Sequence, residues 1–237
     1  MILKDSVEML LNEYLTKHHP ARILFNGLQE LGDMYLIGGV LREIKDNGRI
    51  ISLRDMDVVL NTTNEKKYEQ FLYSYSPEIN RFGGYRVQCQ DLIIDIWLLR
   101  QTWAYSKQVI KCDSKDYAQM LPRTVFLNID AIIYDMKNDK WYDTEYQKAM
   151  KTRVLDIVLE ENPFIELNIV RSIVLKQKYE MAFSDKLREV IKKYINECTD
   201  KEIGAASGLY NAQNKRYKKE ILSQIEYLEI LREVLYN

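Results

Sequence analysis

The stretch of residues 35–60, YLIGGVLREIKDNGRIISLRDMDVVL, decides the fold prediction because its hydrophobic period changes twice. Met34–Ile37 is a short apolar run that predicts a strand, and Gly38-Gly39 ends it. Val40–Lys45 has the length of one or two helical turns. Met56–Leu60 is rich in β-branched residues and predicts the next strand. A strand, a glycine pair, a short helix and a second strand are therefore expected in close succession.

The residues on either side of this stretch predict further elements of both kinds. Apolar residues at helical spacing predict helices at Val7–Lys17, Ala21–Leu31 and Asn64–Tyr73. Apolar and β-branched runs predict a pair of strands at Tyr85–Cys89 and Leu92–Leu99. A further hairpin is expected from Thr124–Tyr134 and Trp141-Tyr142, with a polar turn between them.

The pattern becomes helical almost throughout in the last part of the chain. It runs from residue 162 to residue 237, with breaks predicted near Phe183-Ser184 and Gly204–Gly208. The sequence therefore predicts two domains: a mixed α/β domain at residues 1–161 and an all-helical region at residues 162–237.

The composition is typical of a soluble globular protein. Hydrophobic residues make up 46% of the chain and charged residues 29%. The net charge of −1 is unlike that of a dedicated nucleic-acid coat, whose affinity rests on a surplus of Lys and Arg.

No stretch has the pattern of a membrane span or a signal peptide. Leu92–Leu99 is far shorter than the roughly 20 apolar residues that cross a bilayer, and Met1–Leu11 carries charged residues. The cysteines are odd in number and lack a CxxC pair, which argues against a disulfide framework or a zinc site: Cys89, Cys112 and Cys198. We therefore expect a cytoplasmic protein that makes no contact with membranes.

The aspartates of residues 55–57 form a candidate metal site. Side chains two apart in a strand point to the same face, so Asp55 and Asp57 would present two repelling carboxylates together, with Met56 turned away. Hard oxygen ligands of this kind suit Mg²⁺ or Mn²⁺. A surface pair of aspartates without a metal is the alternative interpretation.

The glycine pair is a candidate phosphate site. Gly38-Gly39 lies between a predicted strand and a helix start, where backbone N–H groups can receive a phosphate and absent Cβ atoms let it come close. An ordinary tight turn is the alternative. Arg42 would lie on the first turn of the helix, where it can pair with a phosphate or with Asp55 or Asp57.

Asp95 is the third candidate carboxylate, in the run LIIDIWLL (92–99). An ionised group that faces an apolar interior costs several kcal/mol without a partner, so Asp95 should be exposed on one sheet face or belong to a site. A third carboxylate on a neighbouring strand suits two-metal phosphoryl transfer, in which one ion activates a hydroxyl and the other holds the triphosphate.

These residues resemble the DNA-polymerase-β-like nucleotidyltransferases, and within them the head and neck of bacterial poly(A) polymerases and tRNA CCA-adding enzymes. That family has a glycine pair, an arginine soon after it, a DxD on the next strand and a later acidic residue. The matches are Gly38-Gly39, Arg42, Asp55 with Asp57, and Asp95. VFLNIDAIIYD (125–135) resembles a later family strand, and ENPFIELNIVRSIVLKQKY (161–179) resembles the neck.

The resemblance covers about residues 34–195 and implies a mixed nucleotidyltransferase-fold sheet flanked by helices, followed by a helical neck. It implies two Mg²⁺ or Mn²⁺ ions on the catalytic carboxylates, Asp55, Asp57 and Asp95. It also implies an NTP site, which would include Gly38, Gly39, Arg42, Asn162 and Arg171. An RNA 3′ end is the expected acceptor, with a small molecule or a protein hydroxyl as alternatives.

The departures from the family concern the part that chooses the nucleotide. Val125 and Phe126 stand where Arg-Asp is expected, and Asp130 stands where Asn is expected. In the neck, Asn162 replaces an acidic residue, and Ile165 and Asn168 replace arginines. In CCA-adding enzymes that acidic residue and an arginine read the base, so we expect the CTP/ATP selector to be lost.

A non-catalytic nucleotide-binding or regulatory protein that keeps the fold is the alternative function. The altered neck motif motivates it. The three retained carboxylates favour an enzyme, because mutually repelling acids have little use without a metal. The preferred base, the acceptor and the oligomeric state stay open.

Overall fold

The computed structural model describes residues 6–236. Met1–Asp5, which include part of the N-terminal stretch discussed above, and Asn237 lie outside the described residues. The chain forms two compact units, residues 6–124 with 130–144 and residues 125–129 with 145–236. The domain boundary expected after residue 161 stays a prediction.

A seven-stranded sheet is the centre of the first unit. Its strands are β1 (Asp33–Ile37), β2 (Asp55–Asn61), β3 (Glu78–Ile79), β4 (Tyr85–Cys89), β5 (Leu92–Leu98), β6 (Ile133–Asp135) and β7 (Lys140–Tyr142). Their order across the sheet is β3-β4-β5-β2-β1-β6-β7. The neighbours β2 and β5 are parallel, and the other neighbouring pairs are antiparallel.

Helices flank this sheet and have recognisable start signals. They are α1 (Val7–Thr16), α2 (His19–Leu31), α3 (Gly39–Asn47), α4 (Glu65–Tyr73), α5 (Trp103–Ser106) and α6 (Tyr117–Met120). Ser6 caps α1, and Asn64 caps α4 by accepting a hydrogen bond from the Lys67 N–H at 3.0 Å. Helix α2 contacts α1, α4 and β1.

Alternation along β2 and β5 gives the sheet one fully buried face. The side chains on that face are apolar and inaccessible to solvent: Met56, Val58, Leu60, Leu92, Ile94 and Ile96. Since successive side chains alternate, the residues between them point to the opposite face. Asp55, Asp57 and Asp95 are among those residues.

An apolar cluster covers part of that opposite face. It consists of buried residues from three strands and from the segment after β5: Tyr35, Val59, Leu99, Tyr105, Leu121 and Ile133. Burial raises the pKa of Tyr35 to about 12, so its hydroxyl is neutral at physiological pH. Val59 lies two residues beyond Asp57 on the same strand face, so the cluster borders the carboxylates.

The second unit is mainly helical. Helix α7 (Thr144–Thr152) leads into it, and its other elements are β8 (Val154–Leu155), α8 (Ile165–Tyr179), β9 (Ala182–Phe183), α9 (Asp185–Glu197), α10 (Lys201–Tyr217) and α11 (Gln224–Tyr236). Strands β8 and β9 are parallel partners. Helix α10 contacts α8, α9 and α11. None of the helices in residues 6–236 has the length and apolar character of a membrane span.

The predicted fold class is confirmed: a mixed sheet with flanking helices precedes a helical region. The break predicted near Gly204–Gly208 is wrong, because both glycines lie inside α10. They permit close packing: an added Cβ at Gly208 would lie 2.8 Å from the Tyr194 hydroxyl. Only the end of the run Thr124–Tyr134 is a strand, since residues 121–124 and 128–130 form 3₁₀ turns.

Gly204→Ala is expected to lower the free energy of unfolding by about 1–3 kcal/mol, to be measured by urea denaturation. An added Cβ would lie 1.8 Å from the carbonyl oxygen of Thr199. This clash outweighs the advantage of about 1 kcal/mol that alanine has over glycine in a helix. Ser207→Ala on the same helix is the control, with an expected change within about 0.5 kcal/mol. A G204A protein at least as stable as the unmodified one would contradict this packing.

Candidate functional site

Parallel pairing of β2 with β5 places two of the predicted carboxylates side by side. Asp57 of β2 is the register partner of Asp95 of β5, so both side chains leave the sheet on the same face. Asp55 lies two residues before Asp57 and shares that face. The structure thus brings together all three predicted carboxylates, which we call the acidic row.

Gly38 lies at the end of β1, beside the acidic row. The preceding residue, Ile37, is the register partner of Asp57. Gly38 has φ 73° and ψ −126°, a conformation that other residues rarely adopt. An added Cβ would lie 3.3 Å from Oδ2 of Asp57. A side chain at residue 38 would therefore be strained at this φ and would crowd the Asp57 carboxylate.

The hairpin strand β4 holds Asp95 in place. Arg86 is its register partner and donates from Nε to Oδ1 at 2.9 Å and from Nη2 to Oδ2 at 2.6 Å. Asn80 donates from Nδ2 to Oδ1 at 3.2 Å. The side chain of Asp95 is only 7% exposed, whereas that of Arg86 is 39% exposed. The buried charge in LIIDIWLL therefore has the partner that it requires.

Arg86 lies in the electric field of the whole acidic row. Its hydrogen bonds to Asp95 raise the pKa of the guanidinium, and the charges of Asp95, Asp55 and Asp57 raise it further, while partial burial opposes them. Arg54 donates from Nε to Oδ2 of Asp55 at 3.0 Å. Two guanidinium groups thus offset part of the repulsion among the carboxylates.

Arg42 pairs with a residue that the sequence had marked as a departure from the family. Its Nη1 forms an ion pair with Oδ1 of Asp130, and both side chains are largely buried, 11% and 12% exposed. The sequence had predicted a phosphate, Asp55 or Asp57 as the partner of Arg42. An aspartate at position 130 therefore supplies a charge that an asparagine would not.

The remaining predicted nucleotide residues lie in the second unit. Arg171 is half-buried on α8, and Asn162 lies in the loop before that helix. Asn168, at a family arginine position, donates from Nδ2 to the carbonyl oxygen of Pro163 at 3.1 Å and so holds the start of α8. Phe126 is a buried core residue. The approach of Asn162 and Arg171 to a nucleotide stays a prediction.

The donor set suits one divalent cation better than two. Asp55 and Asp57 offer carboxylates on one strand face, and Mg²⁺ commonly binds to one or two carboxylates together with substrate phosphates. Asp95, by contrast, uses both oxygens for Arg86. No group of three His, Cys, Asp or Glu side chains within residues 6–236 is arranged to hold a metal ion. Metal binding by all three carboxylates stays a prediction.

Sequence reasoning missed Arg86 and Asn80, although a signal for Arg86 was present. The strands Tyr85–Cys89 and Leu92–Leu99 had been predicted as a pair around a polar turn. With Gln90 and Asp91 as a two-residue turn, Cys89 pairs with Leu92, and counting outward places Arg86 opposite Asp95. Asn80 gave no such signal, because its loop has no regular period.

Comparison with known proteins gives structural matches only. No protein-family model matches the chain, and no curated protein matches it. The solved structure of the Thermotoga maritima CCA-adding enzyme complexed with tRNA_CCA matches 97% of this chain, with a TM-score of 0.61 and 16% identity. A CCA-adding enzyme complexed with ATP matches 97% of it, with a TM-score of 0.59 and 16% identity. The chain has a nucleotidyltransferase-like fold.

This nucleotidyltransferase-like fold also matches a tRNA-processing enzyme with CTP, over 85% of this chain, with a TM-score of 0.55 and 14% identity. The chain spans about half the length of these proteins, 54%, 53% and 53% in the order given. At such low identity the likeness concerns the fold alone.

Gly38→Ala is expected to destabilise the protein by about 1–3 kcal/mol, since a Cβ would be strained at this φ and crowd Asp57. Thermal unfolding of both proteins measures the effect. Gly48→Ala is the control for a glycine in open space: Gly48 has φ 66° and ψ 5°, a left-handed conformation that alanine adopts more easily than that of Gly38, and an added Cβ would meet nothing within 4 Å. The control should therefore lose less. An equal loss in both variants would show that neither the backbone conformation of Gly38 nor its contact with Asp57 requires glycine.

A double-mutant cycle with Arg86→Gln and Asp95→Asn is expected to give a coupling energy of about 1–2 kcal/mol, measured from urea unfolding of the four proteins. The bond is bidentate and one partner is buried, which makes it stronger than an exposed pair. The control cycle uses Arg100 and Glu65, whose side chains are 56% and 30% exposed. That cycle should give less than about 1 kcal/mol. Equal couplings would argue against a special Arg86–Asp95 bond.

Proposed function

We propose that the chain is a divalent-metal-dependent nucleotidyltransferase that moves a nucleoside monophosphate from an NTP to a hydroxyl acceptor. The observation that carries this proposal is the acidic row beside Gly38. Asp57 and Asp95 are register partners, and the backbone of Gly38 approaches Asp57 at the start of α3. Likeness to solved CCA-adding enzymes with ATP and with tRNA_CCA supports it.

The proposed roles follow from these positions. Asp55 and Asp57 hold Mg²⁺ or Mn²⁺, which would neutralise the triphosphate and activate the attacking hydroxyl. The first N–H groups of a helix lack intrahelical acceptors, so the start of α3 at Gly38 and Gly39 receives a phosphate. Asp95, the third carboxylate of the site, orients Arg86 beside the other two.

The proposal extends to the nucleotide and the acceptor. Arg42 is a proposed residue of the NTP site, nucleotide contact by Asn162 and Arg171 stays a prediction, and an RNA 3′ end is the proposed acceptor. The similar solved structures with CTP, ATP and tRNA_CCA support NTP and RNA as partners. The departures at the neck positions support loss of the CTP/ATP selector.

One observation favours a second candidate, a non-catalytic nucleotide-binding or regulatory protein. Both oxygens of Asp95 are bonded to Arg86, so the third carboxylate is engaged by the protein itself. Such a protein would bind an NTP without transferring any part of it. The two candidates differ in turnover and agree on binding.

Label transfer distinguishes the two candidates. The protein is incubated with each α-³²P-labelled NTP, Mg²⁺ or Mn²⁺ and total cellular RNA, and incorporation of label and release of pyrophosphate are measured. We expect label in RNA, reduced at least about 100-fold in the Asp55→Asn/Asp57→Asn variant, which lacks the carboxylates that hold the cation.

Asp113→Asn is the control, because Asp113 is exposed and lies outside the acidic row. It should transfer label at the unmodified rate. Transfer that persists in the double variant would contradict the metal role of Asp55 and Asp57. Mg²⁺-dependent NTP binding without transfer to RNA, protein or small-molecule hydroxyls would favour the non-catalytic candidate.

A further inference from the structure

Arg86 is a permanently charged side chain inside a site that metal ions are expected to neutralise. A guanidinium stays protonated at all physiological pH values. Arg86 directly faces Asp95 across the β4–β5 ladder and donates one hydrogen bond to each carboxylate oxygen of Asp95. The place at Asp95 where a second cation would bind is thus taken by a cation of the protein.

Hydrogen bonds and close packing fix the residues around the Arg86–Asp95 ion pair, unlike the surroundings of an exposed surface pair. Asn80 bonds Asp95 through its amide nitrogen, and its oxygen accepts from the N–H groups of Phe82 and Gly84, each at 3.0 Å. An added Cβ at Gly84 would lie 2.3 Å from Nε1 of Trp97. The turn that leads into β4 therefore contacts β5 at two places, at Asp95 through Asn80 and at Trp97 through Gly84.

Charge balance points in the same direction. Arg86 pairs with Asp95, and Arg54 pairs with Asp55. At least two guanidinium charges thus offset the charge of the acidic row, which leaves less negative charge to attract cations. A row compensated in this way suits one divalent ion with its nucleotide.

We propose that Arg86 takes the place of one of two divalent cations, so that the acidic row binds a single metal ion together with the NTP. The inference rests on the proposed function and specifies how many metal ions its site binds. Asp55 and Asp57 are the metal ligands: both donors of Arg54 go to one oxygen of Asp55, Oδ2, whereas Arg86 bonds both oxygens of Asp95. Arg86 is a positioning residue that keeps Asp95 out of the metal's coordination sphere.

The test counts Mn²⁺ ions bound per chain in the presence of a non-hydrolysable ATP analogue, by electron paramagnetic resonance of free Mn²⁺ and by calorimetry. We expect one ion for the unmodified chain and two for Arg86→Gln, because the freed Asp95 carboxylate becomes a ligand. Arg86→Lys keeps the charge and should bind one ion. The matched control is Arg22→Gln, which removes the same charge at an exposed position of α2 and should also bind one ion.

A second measurement does not depend on the nucleotide. Mn²⁺ should raise the melting temperature of R86Q more than that of the unmodified chain, because the ion then neutralises a carboxylate left without its partner. Circular dichroism of each variant shows that it is folded. If R86Q does not fold, the ion count of the unmodified chain still tests the inference, because two ions there would overturn it.

Each other outcome has a distinct meaning. Two ions on the unmodified chain would overturn this inference and leave the proposed transferase function intact. One ion on both the unmodified chain and R86Q would overturn the role of Arg86 alone. No Mn²⁺ on the unmodified chain, with the analogue present, would overturn the metal role of Asp55 and Asp57 and this inference with it.

Discussion

The register of β2 against β5 is the constraint on which the candidate site depends. It sets Asp57 beside Asp95 in the one parallel neighbour pair of the described sheet. Two carboxylates held side by side in this way repel each other, so cations must lie close by for this arrangement to be stable. Arg86 and Arg54 meet part of this need. The strand register thus explains why arginines lie beside these carboxylates.

The two neighbours of β2 contribute different chemistry at the same level of the sheet. On one side, β1 ends next to Asp57, and the chain turns through Gly38 directly into α3. On the other side, β5 supplies Asp95, and β4 supplies Arg86 opposite it. A helix start, two carboxylates and a guanidinium therefore follow one another along a single line perpendicular to the strands.

Sequence reasoning was most successful where local pattern decides the outcome. Apolar and β-branched runs predicted the strands that carry Asp57 and Asp95, and the glycine pair predicted the turn into α3, because both depend on residues close in the chain. It failed where a distant contact decides. Gly208 inside α10 packs against the hydroxyl of Tyr194 in α9, and Arg42 pairs with Asp130, 88 positions away in the sequence. The periodicity of neighbouring residues does not predict such contacts.

Asn80 links the chemistry of the acidic row to the outer rim of the sheet. One end of its amide holds Asp95, and the other end gathers the two backbone N–H groups that shape the turn between β3 and β4. One amide thus fixes both the position of the buried carboxylate and the shape of the turn beside the edge strand β3.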